Sequence, residues 1–177
     1  FQNCYKLERI DIPNSVKFIG SSVFDGCAKL SSVELSNSLT RIESYLFLRC
    51  YALTAIDIPE SVEYIGPYAF MSCSNLESIN IPDAVTVMDA QRFMDNKSLK
   101  LNQKDGGLYL GNDNNPYIYL VKVTTADLTT FNINENCKFI GDYALAGLPK
   151  LQSVNIPNTM LCINFNAFAS DTSLSTI

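Results

Sequence analysis

The stretch at residues 47–70 reads FLRCYALTAIDIPESVEYIGPYAF, and its spacing sets the architecture of the whole chain. Ile56 and Ile58 are separated by one residue, so their side chains point to the same face of a short strand. Pro59 ends this strand because proline has no N–H to donate to a sheet ladder. Phe70 then restarts the pattern that began at Phe47. One copy cannot bury its own apolar face, so the copies must stack.

The leucine that opens each strand recurs at a fixed interval. Successive leucines lie 23 residues apart, apart from one interval of 29. They are Leu7, Leu30, Leu53, Leu76, Leu99, Leu128, Leu151 and Leu174. A period of this size is typical of a solenoid, in which each turn lays its strand beside the previous one in a parallel sheet. The sequence therefore predicts a single solenoid domain over residues 1–177.

Three sets of apolar positions recur and are predicted to form the core. The inward strand pairs are Ile10/Ile12, Val33/Leu35, Ile56/Ile58, Ile79/Ile81, Phe131/Ile133 and Val154/Ile156. The second contacts are Val16/Ile19, Leu39/Ile42, Val62/Ile65, Val85/Met88 and, shifted by one residue, Leu161/Ile163. The aromatic column is Phe1, Phe24, Phe47, Phe70, Phe93 and Phe168, with Leu145 in one turn. We expect a helical turn before each aromatic, as at residues 67–71, since proline suits the start of a helix.

Residues 102–127 interrupt the repeat. Lys104 to Gly107 is a turn signal, and residues 108–110 and 117–123 have the composition of two strands. Residues 111–116 join them as a hairpin loop rich in asparagine. This turn carries 29 residues instead of 23, so we expect it to project a hairpin from the stack.

Composition limits the classes of partner. The net charge of −5 and the pI near 4.6 argue against nucleic acid. No apolar run approaches the roughly 20 residues that a membrane helix needs, so this segment is not expected to insert into a membrane. We do not expect this segment to include a signal peptide. Phe1 falls in mid-repeat and residues 174–177 stop within a strand, so we expect both ends to be cut from a longer chain.

The six cysteines are predicted to be free thiols. Cys4, Cys27, Cys50 and Cys73 occupy one repeat position, which favours a column of small buried side chains, with a disulfide or a zinc site as the alternatives. Cys137 and Cys162 replace apolar residues and are interpreted as core or near-surface thiols.

Catalysis has few candidate residues. The chain has no histidine, which excludes histidine-based triads and metal sites, and it lacks the glycine-rich phosphate-binding motifs. We therefore predict no catalytic residue and no cofactor, and an enzyme is only a remote alternative. Residues 112–115 could ligate calcium weakly, although a plain polar turn is the favoured interpretation.

The repeat Ile-x-Ile-Pro-x-x-Val-x-x-Ile-Gly-x-x-Ala-Phe-x-x-Cys-x-x-Leu resembles the BspA-type leucine-rich repeat. Residues 10–30, 56–76 and 79–99 follow it closely, and the segment at 105–109 is similar to the hairpin that interrupts this family. The resemblance implies an α/β-type leucine-rich repeat solenoid: a right-handed stack with one parallel sheet, short convex strands or helical turns, and one β-hairpin. It also implies a cell-surface or secreted protein that adheres to a protein partner, such as a host extracellular protein, and it brings no catalytic residues.

Residues between the inward pairs must point outward, and they are all acids or amides. They are Asp11, Glu34, Asp57, Asn80, Asn132 and Asn155, with Gln103 in the irregular turn. The neighbouring outward column is interpreted as small, which leaves this strip accessible. Its residues are Arg9, Ser32, Ala55, Ser78, Thr130, Ser153 and Thr176. One hypothesis is that the strip binds a basic or polar partner surface. The alternative is a solvated face that deters aggregation between sheets.

Tyrosines on the interrupting hairpin separate two further interpretations. A protein-binding module would use Tyr109, Tyr117 and Tyr119 as exposed anchors. A structural spacer that only holds other domains away from a surface has no use for them. The remaining possibility is that these tyrosines pack back onto the solenoid.

Overall fold

The computed structural model describes residues 1–89 and 96–177, which form two compact units, 1–100 and 101–177. The regular elements of the described residues are all short strands joined by tight turns. Each unit is a stack of turns in which residues 23 positions apart are neighbours. The predicted repeat solenoid is therefore confirmed.

The strands of the first unit occupy two positions in each turn. They are β1 (Arg9–Asp11), β2 (Ser32–Glu34), β3 (Arg41–Ile42), β4 (Ala55–Asp57), β5 (Tyr64–Ile65), β6 (Ser78–Asn80) and β7 (Val87–Met88). β1 pairs with β2 and β4 pairs with β6, both in parallel, so Ile56 lies beside Ile79 as the repeat predicts. β3, β5 and β7 form a second parallel sheet from the residues that follow the first strand of each turn.

The apolar columns meet inside each turn and form the core. Ile56 and Ile58 are each 2% exposed, which agrees with their predicted inward direction. The rings of Phe24 and Phe47 are fully buried and nearly parallel, with centroids 5.4 Å apart, and Phe47 stacks on Phe70 at 5.6 Å. The aromatic column is thus confirmed in these turns. Its predicted member Phe93 lies outside the described residues.

The segment before each aromatic is a series of tight turns, so the predicted helical turn at residues 67–71 is wrong. The reason is visible in the turn before it, where Tyr45 and Arg49 both have a φ of 60° in the left-handed region. Between them, the N–H of Phe47 donates to the carbonyl of Ala69 in the next turn, at 2.8 Å. A helix would need such N–H groups for its own i to i−4 bonds. Bonding between turns therefore replaces bonding along a helix.

The second unit contains the remaining strands. They are β8 (Asn102–Lys104), β9 (Gly107–Leu110), β10 (Tyr119–Val123), β11 (Thr130–Asn132), β12 (Phe139–Ile140), β13 (Ser153–Asn155) and β14 (Cys162–Ile163). β11 and β13 continue the parallel pairing of the repeat. β10, β12 and β14 pair in parallel and correspond to the second strand position, while β8 and β9 add antiparallel strands to the same sheet.

The interruption is a hairpin, as predicted, but it is built into the sheet and does not project. A tight turn joins β8 to β9, with φ of 48° at Asp105 and 86° at Gly106. β9 then pairs with β10, whose residues Leu120 and Val123 belong to the core of this unit. A Cβ on Gly107 would lie 2.6 Å from the Tyr109 ring. Glycine at this position therefore leaves room for the Tyr109 ring, which packs in the core of this unit. The hairpin supplies core residues that the short repeat lacks.

The second contact predicted for the last repeat is wrong by one residue. Leu161 is 54% exposed, and Met160 packs against the core of the unit in its place. Ile163 keeps its register opposite Ile140 but is 45% exposed, since no further turn covers it in this structure. Met160 and Ile163 therefore have the spacing of Val62 and Ile65, so the register of the repeat is unshifted.

Most of the cysteines are buried free thiols. Cys27, Cys50 and Cys73 have no exposed surface, and the thiol of Cys50 donates to the carbonyl of Phe24 at 3.2 Å. Burial raises the pKa of the Cys73 thiol to about 12. Cys4 is exposed, contrary to the prediction. The thiol column is thus a packing and hydrogen-bonding feature.

Cys137 and Cys162 take the places predicted for core and near-surface thiols. Cys137 is fully buried, and burial raises the pKa of its thiol to about 11. Cys162 is partly buried, and its thiol lies 3.4 Å from the Asn164 amide oxygen. All six cysteines of the chain are free in the structure.

An ion pair with a buried carboxylate links two turns of the first unit. Asp25 is 5% exposed, and its carboxylate accepts hydrogen bonds from the guanidinium of Arg49 at 2.7 and 2.9 Å. The amide of Gln2 donates to the same carboxylate at 3.1 Å. The buried charge is therefore balanced by hydrogen bonds from the turns on both sides.

Candidate protein-binding surface

The outward residues of the first unit form a short polar ladder. Each is the last residue of its strand, and the pairing sets Asp11 beside Glu34 and Asp57 beside Asn80. Asp11, Glu34 and Asp57 are exposed, and Asn80 is partly buried. This direction follows from strand alternation, because the residues on either side point into the core. The predicted outward strip is therefore present in this unit.

The three acids of the ladder line a groove of about 420 Å³. Its other lining residues come from the strand ends and the turns that follow: Ile12, Pro13, Asn14, Val33, Leu35, Asn37, Ile58 and Pro59. The side-chain oxygen of Asn14 accepts a hydrogen bond from the N–H of Asn37 at 2.9 Å and so fixes one wall. The sequence indicated the acids but not the groove. The asparagines that follow the strand ends are the signal that could have located it.

The acids of this groove differ in their neutralisation. Arg9 lies 3.0 Å from the carboxylate of Asp11 and 3.7 Å from that of Glu34. The neighbouring column was expected to be small, and Arg9 is the exception that sequence reasoning missed. For Asp57, the described part of the chain provides no ion pair. The groove thus has one end where an arginine offsets the charge and one end where a carboxylate faces solvent.

The outward residues of the second unit form a separate, uncharged ladder. The amide of Asn155 donates to the side-chain oxygen of Asn132, and the hydroxyls of Thr130 and Ser153 are 2.8 Å apart. These side chains bond to one another and so offer fewer free groups to a partner. Gln103 does not belong to this ladder, because it lies on β8, which pairs antiparallel with β9.

The hairpin tyrosines are not the exposed anchors that a binding surface would use. Tyr109 is 1% exposed and Tyr119 is 2% exposed, so that prediction is wrong for both. The hydroxyl of Tyr109 accepts a weak hydrogen bond from the N–H of Asn134 at 3.4 Å, and burial raises its pKa to about 12. Tyr117 is partly buried and packs edge-on against Tyr109, with ring centroids 5.5 Å apart. All three pack back onto the solenoid.

The asparagine loop of the hairpin has a structural use. The side-chain oxygen of Asn112 accepts hydrogen bonds from the N–H groups of Asn114 and Asn115, at 2.9 and 2.7 Å. The side-chain oxygen of Asn115 in turn accepts from the N–H of Tyr117 at 3.2 Å. These bonds match the polar turn that the sequence favoured. Within residues 1–89 and 96–177, no three acidic, cysteine or histidine side chains gather into a group that could hold a metal ion.

The chain has the length of only part of the proteins that it is similar to. The structure resembles that of the T. pallidum leucine rich repeat protein, with a TM-score of 0.59 and 26% identity over 89% of this chain and 61% of that one. It also resembles a leucine-rich repeat protein from Bacteroides ovatus ATCC 8483, with a TM-score of 0.51 and 25% identity over 98% of this chain and 55% of that one. None of the curated proteins compared with the chain matches it. In the described residues, no helix is long and apolar enough to cross a bilayer.

The repeat region identifies the family of the chain. The model of the BspA type leucine rich repeat region matches residues 1–107 and 123–177, in six copies. The unmatched residues 108–122 coincide with most of β9, the asparagine loop and most of β10, the part of the chain that departs from the repeat in sequence and in strand direction. The chain therefore belongs to the BspA-type leucine-rich repeat family.

Proposed function

We propose that this chain is a non-catalytic protein-binding module of a cell-surface or secreted protein, and that it binds a basic partner surface through the acidic groove of the first unit. The observation that carries the proposal is the meeting of Asp11, Glu34 and Asp57 along one groove of about 420 Å³. Membership of a leucine-rich repeat family supports a role in protein interaction. The cell-surface or secreted location and a host extracellular partner rest on the resemblance of the repeat, and both are part of the proposal.

The chemistry of the groove indicates what such a partner offers. Adjacent carboxylates repel one another in water, so their order adds nothing to the stability of the fold. Among the described residues, no internal cation pairs with Asp57. A lysine or arginine side chain of a partner that enters there would therefore remove the repulsion between the carboxylates. The attraction falls as salt is added, since exposed charges are screened beyond about 10 Å at 0.1 M ionic strength. We therefore propose a partner that binds most tightly at low salt.

The spacer interpretation predicts a different result. A solenoid that only separates other domains needs a solvated outer face and no specific partner. Burial of the hairpin tyrosines removes one feature that would have favoured binding, so the groove alone now distinguishes the two interpretations. The remote enzyme alternative has no supporting constellation among the described residues.

The test compares two triple variants of equal charge. The groove variant is Asp11→Asn, Glu34→Gln, Asp57→Asn. The control variant is Glu8→Gln, Asp113→Asn, Glu135→Gln, which changes exposed acids that do not line the groove. Binding of a synthetic peptide of alternating lysine and glycine is measured by titration calorimetry from 20 mM to about 300 mM salt, a range that spans the change in screening length.

The proposal expects the groove variant to lose most of the affinity and most of the salt dependence, and the control variant to keep both. Equal losses in the two variants would mean that the peptide responds to net charge alone. No loss in either variant would favour the spacer.

A further inference from the structure

One side-chain column of the first unit ties each turn to the turn before it. The residue in this column donates a hydrogen bond to the backbone carbonyl 26 positions earlier. The bonds run from Cys27 to Phe1 at 3.2 Å, Cys50 to Phe24 at 3.2 Å, Cys73 to Phe47 at 3.1 Å and Asn96 to Phe70 at 2.8 Å. A cysteine thiol and an asparagine amide can both make this bond, because each has a hydrogen to donate. In these four turns the residue of the column is therefore a donor.

Asp171 takes this position in the last turn of the second unit, where the carbonyl 26 positions earlier is that of Leu145. Its Oδ1 accepts a hydrogen bond from the N–H of Leu148 at 2.7 Å. Its Oδ2 is buried and has no hydrogen-bond partner in the described part of the chain. An ionised carboxylate can only accept, so it cannot make the bond that the column residues of the first unit make.

The carboxylate also diverts a backbone bond. In the first unit, the N–H of the column residue donates to the carbonyl three residues earlier, as from Cys50 to Phe47 at 3.2 Å. The N–H of Leu148 instead donates to Asp171, and no backbone bond to the Leu145 carbonyl is found within residues 1–89 and 96–177. The Leu145 carbonyl thus lacks both of the donors that its counterparts in the first unit receive.

We propose that Asp171 is a pH-sensitive clasp, in which a proton taken from solvent onto Oδ2 lets the neutral acid donate to the Leu145 carbonyl and tie the last turn to the one before it. When the proton leaves, the bond is lost and a carboxylate oxygen stays buried beside a carbonyl. Oδ1 continues to accept from Leu148 in both states. The second unit is therefore held more tightly in acid than at neutral pH.

The surroundings of Asp171 support this assignment. Burial raises the pKa of its carboxyl group, and the N–H groups of Leu148 and Gly147 act in the opposite direction. The charged groups on the packed turn are engaged elsewhere: Lys150 bonds to Asp127 at 2.6 Å, and Asp142 accepts from the N–H of Phe165 at 3.1 Å. No charged side chain contributes to the shift, so burial dominates.

The sign of the pH effect follows from the raised pKa. A carboxyl whose pKa is higher in the folded chain binds its proton more tightly there than in the unfolded chain. Its contribution to stability is complete below the unfolded value, near 3.8, and is lost as the pH rises through the folded value. This direction is opposite to that of a salt-bridged aspartate.

The test uses the whole 177-residue chain. The carboxyl resonance of Asp171 is followed by NMR as a function of pH, and urea midpoints are measured at pH 7 and pH 3.5 for the parent, Asp171→Asn and Asp171→Leu. Asparagine keeps an acceptor for the N–H of Leu148 and adds the missing donor. In the first unit, the Asn96 amide donates to the Phe70 carbonyl in the same way. Leucine, which is the natural residue at the equivalent position 148, removes the charge but cannot donate.

We expect the carboxyl of Asp171 to titrate above 3.8. At pH 7 the midpoint of Asp171→Asn should exceed those of Asp171→Leu and the parent, and its lead over the parent should shrink at pH 3.5. A pKa at or below the ordinary value would overturn the proposal even if a variant fails to fold. It would also be overturned if Asp171→Leu matched Asp171→Asn, since loss of charge alone would then explain the gain.

Discussion

The stacked phenylalanines of the first unit allow a sharp test of what holds the turns together. Phe47 lies between the rings of Phe24 and Phe70, with centroids 5.4 and 5.6 Å away. Leu145 is fully buried at the same repeat position of the second unit, so leucine fits this kind of site. Phe47→Leu should therefore keep most of the apolar burial and remove both ring contacts.

The expected loss follows from these contacts. An aromatic pair contributes about 0.5–1.5 kcal/mol beyond its buried area, so two pairs give about 1–3 kcal/mol. Phe47→Ala also leaves a cavity and should cost about 3–5 kcal/mol. With a urea slope of about 2 kcal/mol/M, the leucine variant should lower the denaturation midpoint by about 1 M. Far-UV circular dichroism at increasing urea concentration measures this shift.

The matched control is Phe18→Leu, the same chemical change at a side chain that is 65% exposed. It should alter the free energy of unfolding by no more than about 0.5 kcal/mol. If Phe47→Leu moved the midpoint no further than Phe18→Leu, ring stacking would not stabilise the turns and the reasoning would be refuted.

Two further predictions concern the thiols and the hairpin loop. In the folded chain, Cys4 should react at once with a thiol reagent. The fully buried thiols should stay protected, namely those of Cys27, Cys50, Cys73 and Cys137. All six thiols should titrate after unfolding without reductant, and a count of four would reveal a disulfide. Amide hydrogen exchange should be faster at residues 111–115 than in β9 and β10, since the loop is held mainly by the side chains of Asn112 and Asn115. Slower exchange in the loop would contradict this expectation.

The predictions that succeeded rest on periodicity. The strand pairs and the aromatic column repeat at 23 residues, so each residue predicts its neighbour in the next turn, as Ile56 predicts Ile79. The outward direction of Asp11 and Glu34 follows from the same alternation. The groove between them depends on the path of the chain after each proline, for which the period gives no information.

The predictions that failed concern contacts that the period of the apolar residues does not specify. Pro67 favours a helical start by local propensity, but the carbonyls of Pro67 and Ala69 accept hydrogen bonds from the preceding turn, and this bonding between turns overrides it. Tyr109 and Tyr119 lie where the repeat is broken, so the sequence offers no neighbouring turn from which to infer their burial. Arg9 was grouped with small residues by position, although its long side chain reaches two carboxylates.

The ion pair between Asp25 and Arg49 bears on how a chain of near-identical turns assembles in the correct order. The apolar columns cannot distinguish one turn from the next, so a turn that skipped its neighbour during folding would still bury leucine against leucine. The counterparts of Arg49 in the adjacent turns are Gly26 and Ser72. A slipped stack would therefore leave the buried carboxylate of Asp25 without a guanidinium, at a cost of about 3–5 kcal/mol. The contact between Asp25 and Arg49 therefore favours the correct order of these turns over a slipped one.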